Sequence, residues 1–213
     1  MEDPKDARIR ELEAALAEKT AHLHEVDHRV KNNLQLIASL MLLQSRRITD
    51  ETARRALKTM LERVSAVGMV HRRLFQGEDS HLFEVSDFVR DLVGDLALAA
   101  GRDDIQITLD LEPVTIAASA AAPFALVLNE LVANALKHAF REGQRGVIAI
   151  RLTQGDGLCV LTVADDGLGM GEAEKAFGLT IVGLLCKQLH ASLEIAGEGP
   201  GVRAVVRAPL QAA

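Results

Sequence analysis

The chain has 213 residues, and its 48% hydrophobic content is enough to bury one large core or two smaller ones. A net charge of -6 and the lack of Trp and Tyr argue against nucleic acid as a partner, because there is neither a basic footprint for phosphates nor an aromatic platform for bases. The two cysteines, Cys159 and Cys186, lie far apart in apolar segments and are predicted to be small buried side chains rather than a disulfide or a metal site.

The chain is expected to work from solution in the cytoplasm. Its first residues, MEDPKDARIRELEAAL, have neither the cationic start nor the apolar block of a signal peptide. No stretch of the sequence approaches the roughly 18 uninterrupted apolar residues of a membrane span. We therefore predict no membrane insertion.

The first part of the chain predicts one long helix. No proline occurs between Pro4 and Pro113, and good helix formers such as Ala, Leu, Glu, Lys and Arg dominate the start of this interval. From Ile9 onward the apolar residues alternate at spacings of three and four, as at the a and d positions of a coiled coil, with gaps at Lys19 and Asn33. The residues of this seam are Ile9, Leu12, Leu16, Leu23, Val26, Val30, Ile37 and Leu40.

After Leu34 the apolar stripe widens beyond what a two-stranded coil needs, as expected of a helix in a four-helix bundle. The segment SRRITDE interrupts it, with Thr49 or Asp50 as the N-cap of a second helix, ETARRALKTMLERVSAVGMVHRRLF. Two helices cannot enclose a four-helix core, so a homodimer is the economical solution. We predict that residues 1–80 form a coiled coil and a dimerising helical hairpin.

Residues 81–213 have a different pattern, in which helices and strands alternate unevenly. A helix at SDFVRDLVGDLALAA and a strand at IQITLDL precede a long apolar helix from about Pro123 to Phe140. Strands at VIAIRL and LCVLTVAD, a helix at GLTIVGLLCKQLH and a terminal hairpin in SLEIAGEGPGVRAVVRAP follow. This order predicts an α/β sandwich with helices on one face of a mixed sheet, which makes the whole chain α+β.

His28, in the stretch HRVKNNLQ, is predicted to lie on the solvent-exposed face of the first helix. With Leu23 and Val30 at a positions and Val26 at d, His28 falls at position f, which points away from the partner helix. Asn32 follows one helical turn later on the same face. A surface histidine carries no functional signal by itself, so its meaning depends on the second half of the chain.

Two segments of the second half place polar residues where a nucleotide and a metal ion would need them. In NELVANALKH, Glu130 and Asn134 are four residues apart on one helix face, so a carboxylate and an amide oxygen can face the same ion. In DDGLGM, Asp165 is a short acceptor at a strand end, and Gly167 and Gly169 let the backbone turn tightly around a ligand. The alternative for this pair of aspartates is a plain solvated turn.

Two further glycine features are weak when taken alone. FGLTIVGLLCKQL opens a helix at Gly178, and a helix N-terminus is a natural place for phosphate oxygens. GEGPG, residues 197–201, supplies one more flexible turn. A lone glycine-rich turn is more often a hairpin or a helix cap than a phosphate site, but the order and spacing of all these segments together are informative.

Together the segments resemble the HWE-related histidine kinases, a subfamily of two-component sensor kinases. HRVKNNLQLIASLMLLQ resembles their phosphoacceptor box, and NELVANALKHAF is similar to their N box. DDGLGM resembles the first glycine box of the ATPase group that gyrase and histidine kinases share. The resemblance covers the chain from about Glu25 to Pro209.

The resemblance implies a reaction for His28. It would be the phosphoacceptor, attacking the γ-phosphate of ATP through a neutral imidazole nitrogen, and would pass the group to an aspartate of a response-regulator receiver domain. Glu130 would lie near the metal as an outer ligand or a proton acceptor. Asn32 would position a water for dephosphorylation, although an ordinary solvated side chain is an equal alternative. Because Arg29 stands where commoner histidine kinases carry an acid, Asp27 or Glu130 is the candidate proton acceptor.

The resemblance also implies a site for ATP and Mg²⁺ in residues 81–213, the catalytic ATP-binding domain, while residues 1–80 would be the phosphotransfer part. Asn134 would ligate Mg²⁺ together with phosphate oxygens, and Asp165 would accept a hydrogen bond from the adenine amino group. Lys137 would contact a phosphate, although an ordinary surface lysine is an equal alternative. The glycines along the nucleotide path would be Gly167, Gly169 and Gly178.

Two features depart from the family pattern. Only MGEAEKAF separates Gly169 from Gly178, where the family has a longer segment that folds over the nucleotide. The second glycine box, G-L-G-L in the family, reads Ala176-Phe177-Gly178-Leu179 here. Weak ATP affinity or rapid nucleotide exchange would follow.

Two other functions stay open. A histidine phosphotransferase with a degenerate ATPase domain would relay phosphate between receiver domains, and nucleotide binding separates it from a kinase. A non-enzymatic dimeric regulator would bind a partner through its bundle. It would keep signalling after a His28→Ala substitution, which neither of the other two would survive.

Overall fold

The computed structural model of the protein describes residues 4–74, 81–169 and 178–210. It has the predicted α+β fold, in which a helical N-terminal region is followed by a domain built on a mixed sheet. The chain divides into two compact units, Met1–Val64 and Ser65–Ala213.

The first unit contains one long helix, α1 (Pro4–Ser45), and the start of a second, α2 (Glu51–Leu74). The lack of proline after Pro4 allows α1 to run for 42 residues. The chain leaves the helix after Ser45, where the predicted interruption lies, and Asp50 Oδ1 accepts the N–H of Ala53 at 2.7 Å. Of the two predicted caps, Asp50 is therefore the one that caps α2.

The apolar seam of α1 is exposed in the single chain. Large apolar side chains that are between 44% and 68% exposed occur on both sides of His28. They are Ile9, Leu12, Leu16, Val26, Leu36, Ile37, Leu40, Leu42 and Leu43. Apolar surface on this scale is rarely left exposed to water, so we expect another protein surface to pack against α1. The coiled coil and the homodimeric bundle that would provide it remain predictions, because they require a second chain.

The second unit adds a five-stranded mixed sheet, a two-stranded sheet and three further helices to the end of α2. In chain order its elements are β1 (Leu82–Glu84), α3 (Ser86–Ala100), β2 (Ile105–Leu111), β3 (Thr115–Ala117), α4 (Ala118–His138), β4 (Gly146–Gly155), β5 (Leu158–Asp165), α5 (Gly178–Gln188), β6 (Ser192–Glu198) and β7 (Gly201–Pro209). The large sheet has the order β2-β4-β5-β7-β6, with β2 and β4 parallel and the other neighbours antiparallel. Strands β1 and β3 pair with each other and were not predicted, since three residues are too few to show a periodic pattern.

The core lies on one face of the large sheet. Along β4, Ile148, Ile150 and Leu152 are at most 1% exposed, whereas the intervening Ala149 and Arg151 are exposed. This alternation is the pattern of a sheet with one covered face. On the covered side α4 packs against α3, α5 and β5, which agrees with the prediction of helices on one face.

Helix α4 is the central helix of this core. It starts at Ala118 and ends at His138, whereas we expected it to run from about Pro123 to Phe140. The start is earlier because the alanine-rich residues before Pro123 favour a helix, and a proline in the second turn removes only one helical hydrogen bond. Within the described ranges it is also the one helix long and apolar enough to cross a membrane, but 72% of its most apolar window is buried in the protein. Packing in a core accounts for its apolar character.

The two cysteines are free and buried, as predicted. Burial raises the pKa of the Cys159 thiol to about 12, and burial also raises the pKa of Cys186. Thiols that stay protonated at neutral pH are poor nucleophiles and poor metal ligands, so both residues act as small apolar side chains.

Candidate functional site

Helix α4 carries two of the predicted site residues close together. Glu130 is 3% exposed, and Asn134, one helical turn later, is half-buried. Lys137 is exposed near the end of the helix. The helix also buries Asn129, which is 1% exposed and whose Nδ2 donates a hydrogen bond to Glu130 Oε1 at 3.4 Å. Our sequence reasoning missed Asn129, although an amide among alanines and valines of an apolar helix was a signal for it.

The two adjacent aspartates at the end of β5 have different partners. Asp165 Oδ1 accepts the N–H groups of Gly167 at 3.0 Å and of Val202 at 3.3 Å. Asp166 Oδ1 instead accepts the N–H of Val147 at 2.7 Å, which joins the end of β5 to β4. Asp165 is half-buried, and this burial raises the pKa of its carboxyl group, although the two backbone N–H groups act in the opposite direction. Asp166 therefore has a structural role between β5 and β4, while Asp165 is bonded to the start of β7 and to its own loop.

The glycines of DDGLGM bring this loop close to two other segments. A Cβ atom at Gly167 would lie 2.1 Å from the carbonyl oxygen of Ala139, and the N–H of Leu168 donates to that same oxygen at 2.8 Å. Gly169 has a φ of +80°, and a Cβ there would lie 2.9 Å from the carbonyl oxygen of Pro200. Glycine is thus required at Gly167 by close approach and at Gly169 by backbone conformation as well.

The turn between β6 and β7 supplies the third segment of the site. A Cβ atom at Gly201 would lie 1.8 Å from the carbonyl oxygen of Asp165, so this turn touches the backbone of the aspartate directly. The next residue, Val202, donates its N–H to the Asp165 side chain. The sequence suggested only a flexible turn here, because the approach of residues 165 and 201 depends on the pairing of β5 with β7. The end of α4, the loop after β5 and this turn therefore meet around Asp165.

The remaining predicted residues of the nucleotide path are only partly described. Helix α5 begins at Gly178, as predicted. The short lid, residues 170–177, lies outside the described residues, and so do Ala176 and Phe177, the altered half of the second glycine box. The structure therefore leaves the predictions about that segment as they were.

His28 lies in the first unit, on α1. Its side chain is exposed, and so is that of Asn32 one turn later, as the heptad pattern predicted. Arg29 pairs with Glu25 at 2.6 Å, and this hydrogen-bonded pair lowers the pKa of the Glu25 carboxyl group. The side chain of Asp27, one of the two candidate proton acceptors, is not among those described.

Comparison with known proteins identifies the family. The family model described as histidine kinase matches residues 25–100, and the one described as histidine kinase-like ATPase domain matches residues 106–201. The blue-light-activated histidine kinase 2 of Erythrobacter litoralis is 29% identical over 202 residues, which are 88% of this chain and 57% of that protein. The chain belongs to the HWE-related sensor histidine kinases.

Other members of the kinase family are similar along nearly the whole chain. The sensor histidine kinase PdtaS of Mycobacterium tuberculosis is 33% identical over 212 residues, which are 95% of this chain and 42% of that protein. The chain therefore spans less than half the length of this relative. Among solved structures, the histidine kinase domain of a blue-light-activated histidine kinase from Erythrobacter litoralis matches 91% of this chain and 93% of its own, with a TM-score of 0.66 and 26% identity.

The residues of the candidate site would fit a magnesium ion that is held mainly by a nucleotide. Within residues 4–74, 81–169 and 178–210, no group of three or more His, Cys, Asp or Glu side chains is arranged to hold a metal. Mg²⁺ commonly keeps several waters and takes few protein ligands beside phosphate oxygens. One amide oxygen, from the half-buried Asn134, with Glu130 one turn away, meets that requirement.

Proposed function

We propose that this chain is the kinase core of a two-component sensor kinase, which phosphorylates its own His28 from ATP and passes the phosphoryl group to an aspartate of a receiver domain. The observation that carries the proposal is the convergence of three distant segments on Asp165, together with membership of the histidine kinase family. The proposal assigns residues 1–80 to dimerisation and phosphotransfer and residues 81–213 to nucleotide binding.

In the proposed site Asp165 accepts the hydrogen bond of the adenine amino group. Its Oδ1 is used by two backbone N–H groups, while Oδ2 accepts no hydrogen bond from the described residues. The carboxyl group is thus held at one oxygen, and the proposal gives the other oxygen to the adenine amino group. Gly167 and Gly169 add no side chain that would block the approach of the base.

The phosphates and Mg²⁺ are assigned to the other end of the site. Asn134 ligates Mg²⁺, with Glu130 on the same helix face, and Lys137 neutralises phosphate charge from the end of α4. The N-terminus of α5, at Gly178, offers backbone N–H groups to phosphate oxygens. Mg²⁺ supplies charge neutralisation when ATP is bound, and the chain supplies positioning.

In the transfer step, a neutral imidazole nitrogen of His28 forms a bond with the γ-phosphorus. The bond from that phosphorus to the bridging oxygen breaks, and ADP leaves with the bonding pair. The imidazole proton passes to a carboxylate, for which Glu130 is our candidate, or to water. The exposed position of His28 suits both this attack and the later attack by a receiver aspartate. Asn32, on the same face, positions a water for dephosphorylation.

The exposed seam of α1 supports a homodimer. A second copy would cover it by forming the four-helix bundle, with His28 at an outward position that a receiver domain can reach. We expect the core to act from solution in the cytoplasm, without inserting into a membrane and without binding nucleic acid.

The test is incubation of the full chain with Mg²⁺ and ATP labelled on the γ-phosphate, followed by acid treatment. We expect acid-labile label on the wild type and none on His28→Ala. His22→Ala is the matched control, because His22 is another exposed histidine of α1, and it should be labelled like the wild type.

Absence of label from a folded wild-type dimer would contradict the kinase proposal. A phosphorylated receiver domain should then be offered as donor. Transfer from that donor to His28 would identify the chain as a histidine phosphotransferase.

A further inference from the structure

Asn129 is a buried polar group that the nucleotide site as described so far does not use. Its side chain is 1% exposed, and its Oδ1 has no hydrogen-bond partner among the described residues. Ala125 and Ala133, one helical turn before and after it, offer no polar group. An amide oxygen buried without a partner destabilises a fold, whereas a leucine of similar size would not. Packing alone therefore does not explain an asparagine at this position.

The amide has one polar neighbour on the helix, Glu130. Nδ2 of Asn129 lies 3.4 Å from Glu130 Oε1, and the carboxyl group of Glu130 is itself buried. A carboxylate only accepts hydrogen bonds, so the amide must present its N–H group to Glu130, which turns Oδ1 away from it. The contact is long, but hydrogen bonds of this kind often tighten when substrate binds.

Successive residues of a helix are turned by about 100°, so Asn129 lies to one side of the face that Glu130 shares with Asn134. Asn129 is therefore placed to touch the carboxylate without occupying the face proposed for Mg²⁺. A residue that hydrogen-bonds to a metal ligand, or to an outer ligand, commonly sets the orientation of that ligand.

We propose that Asn129 is a positioning residue, which holds the Glu130 carboxylate as an outer ligand of nucleotide-bound Mg²⁺. The amide fixes one oxygen of the carboxylate, and the other oxygen accepts a hydrogen bond from the hydrated ion. The inference rests on the role of Glu130 in the proposed function. It does not require that His28 be phosphorylated.

The test measures how much Mg²⁺ strengthens the binding of a non-hydrolysable ATP analogue, by calorimetry on the full chain. We expect Asn129→Leu to reduce this gain about 10- to 100-fold, as for other residues that orient metal ligands. Binding without Mg²⁺ should stay unchanged, which a general loss of structure would not allow. Asn129→Ala serves as a second variant if the leucine disturbs packing.

Glu130→Gln and the double variant complete the experiment. Asn129→Leu should have no further effect on top of Glu130→Gln, because no carboxylate is left to orient. Two results in the variants would overturn the proposal. One is that Mg²⁺ strengthens analogue binding to Asn129→Leu and Asn129→Ala as much as to the wild type. The other is that the reductions caused by Asn129→Leu and Glu130→Gln multiply when both substitutions are combined. A wild type that shows no Mg²⁺-dependent binding would also overturn it. A wild type that binds the analogue normally but takes no label on His28 would instead contradict the kinase activity and leave the role of Asn129 measurable.

Discussion

Gly201→Ala tests the contact that holds the site together. The added Cβ would lie 1.8 Å from the carbonyl oxygen of Asp165, whereas ordinary contact begins at 3.4 Å, so the two backbones must separate by about 1.6 Å. The backbone of residue 201 fixes the position of the Cβ, and the oxygen is a backbone atom, so no side-chain rotation relieves the clash. The hydrogen bond from the N–H of Val202 to Asp165 Oδ1, already 3.3 Å long, would be lost.

The magnitude follows from these two losses. Overpacking a rigid contact costs about 1–3 kcal/mol, and a hydrogen bond to a carboxylate contributes about 1.5–3 kcal/mol. A combined destabilisation of about 3 kcal/mol would lower the melting temperature of a chain of this size by roughly 6–12 °C. Nucleotide affinity should fall about 10- to 100-fold, because Asp165 moves away from the proposed adenine position.

The assay combines thermal unfolding with titration of an ATP analogue. Gly94→Ala is the matched control, since a Cβ at Gly94, inside α3, would meet no atom within 4 Å. That control should be stabilised by about 0.5–1 kcal/mol, as alanine is the better helix former. If Gly201→Ala melts within about 2 °C of the wild type and binds nucleotide equally well, the close approach of the turn to Asp165 is not what shapes the site.

Three further predictions concern single side chains. Burial raises the pKa of Asp165, so the ionised carboxylate destabilises the fold. Asp165→Asn should therefore raise the melting temperature at pH 7 while abolishing nucleotide binding. This increase in melting temperature should shrink as the pH falls through the raised pKa, and an increase that grows towards acid would contradict the reasoning. Asp50→Ala removes the cap of α2 and should lower the free energy of unfolding by about 1 kcal/mol in chemical denaturation; no change would show that the cap is dispensable. Leu40→Glu places a charge in the exposed seam and should dissociate the dimer in sedimentation, whereas Leu98→Glu, at an exposed leucine of α3, should not; equal behaviour of the two would refute the seam as the interface.

The order of the elements could be predicted from local patterns. Apolar residues at spacings of three and four, the lack of proline after Pro4, and the alternation in VIAIRL and LCVLTVAD each reflect geometry within one segment. The cap at Asp50 is local for the same reason, since its partner lies three residues away. The start of α4 was misplaced because the proline looked like a first helical position, while the alanines before it favour a helix just as strongly.

For the candidate site, too, features within one segment could be predicted and contacts between segments could not. The sequence by itself determined which residue types lie in the phosphoacceptor box, the N box and the first glycine box, because each box is a short continuous segment. The resemblance of the glycine box pointed to Asp165, but the residues alone could not show what holds Asp165 and Asp166, which are chemically identical neighbours. Their partners came from the sheet: Asp166 accepts from Val147 of β4, 19 residues away, and Asp165 accepts from Val202 of β7, 37 residues away. The need for glycine at Gly201 and the burial of Asn129 beside Glu130 also depend on segments packed against them, and only the tertiary structure decides such contacts.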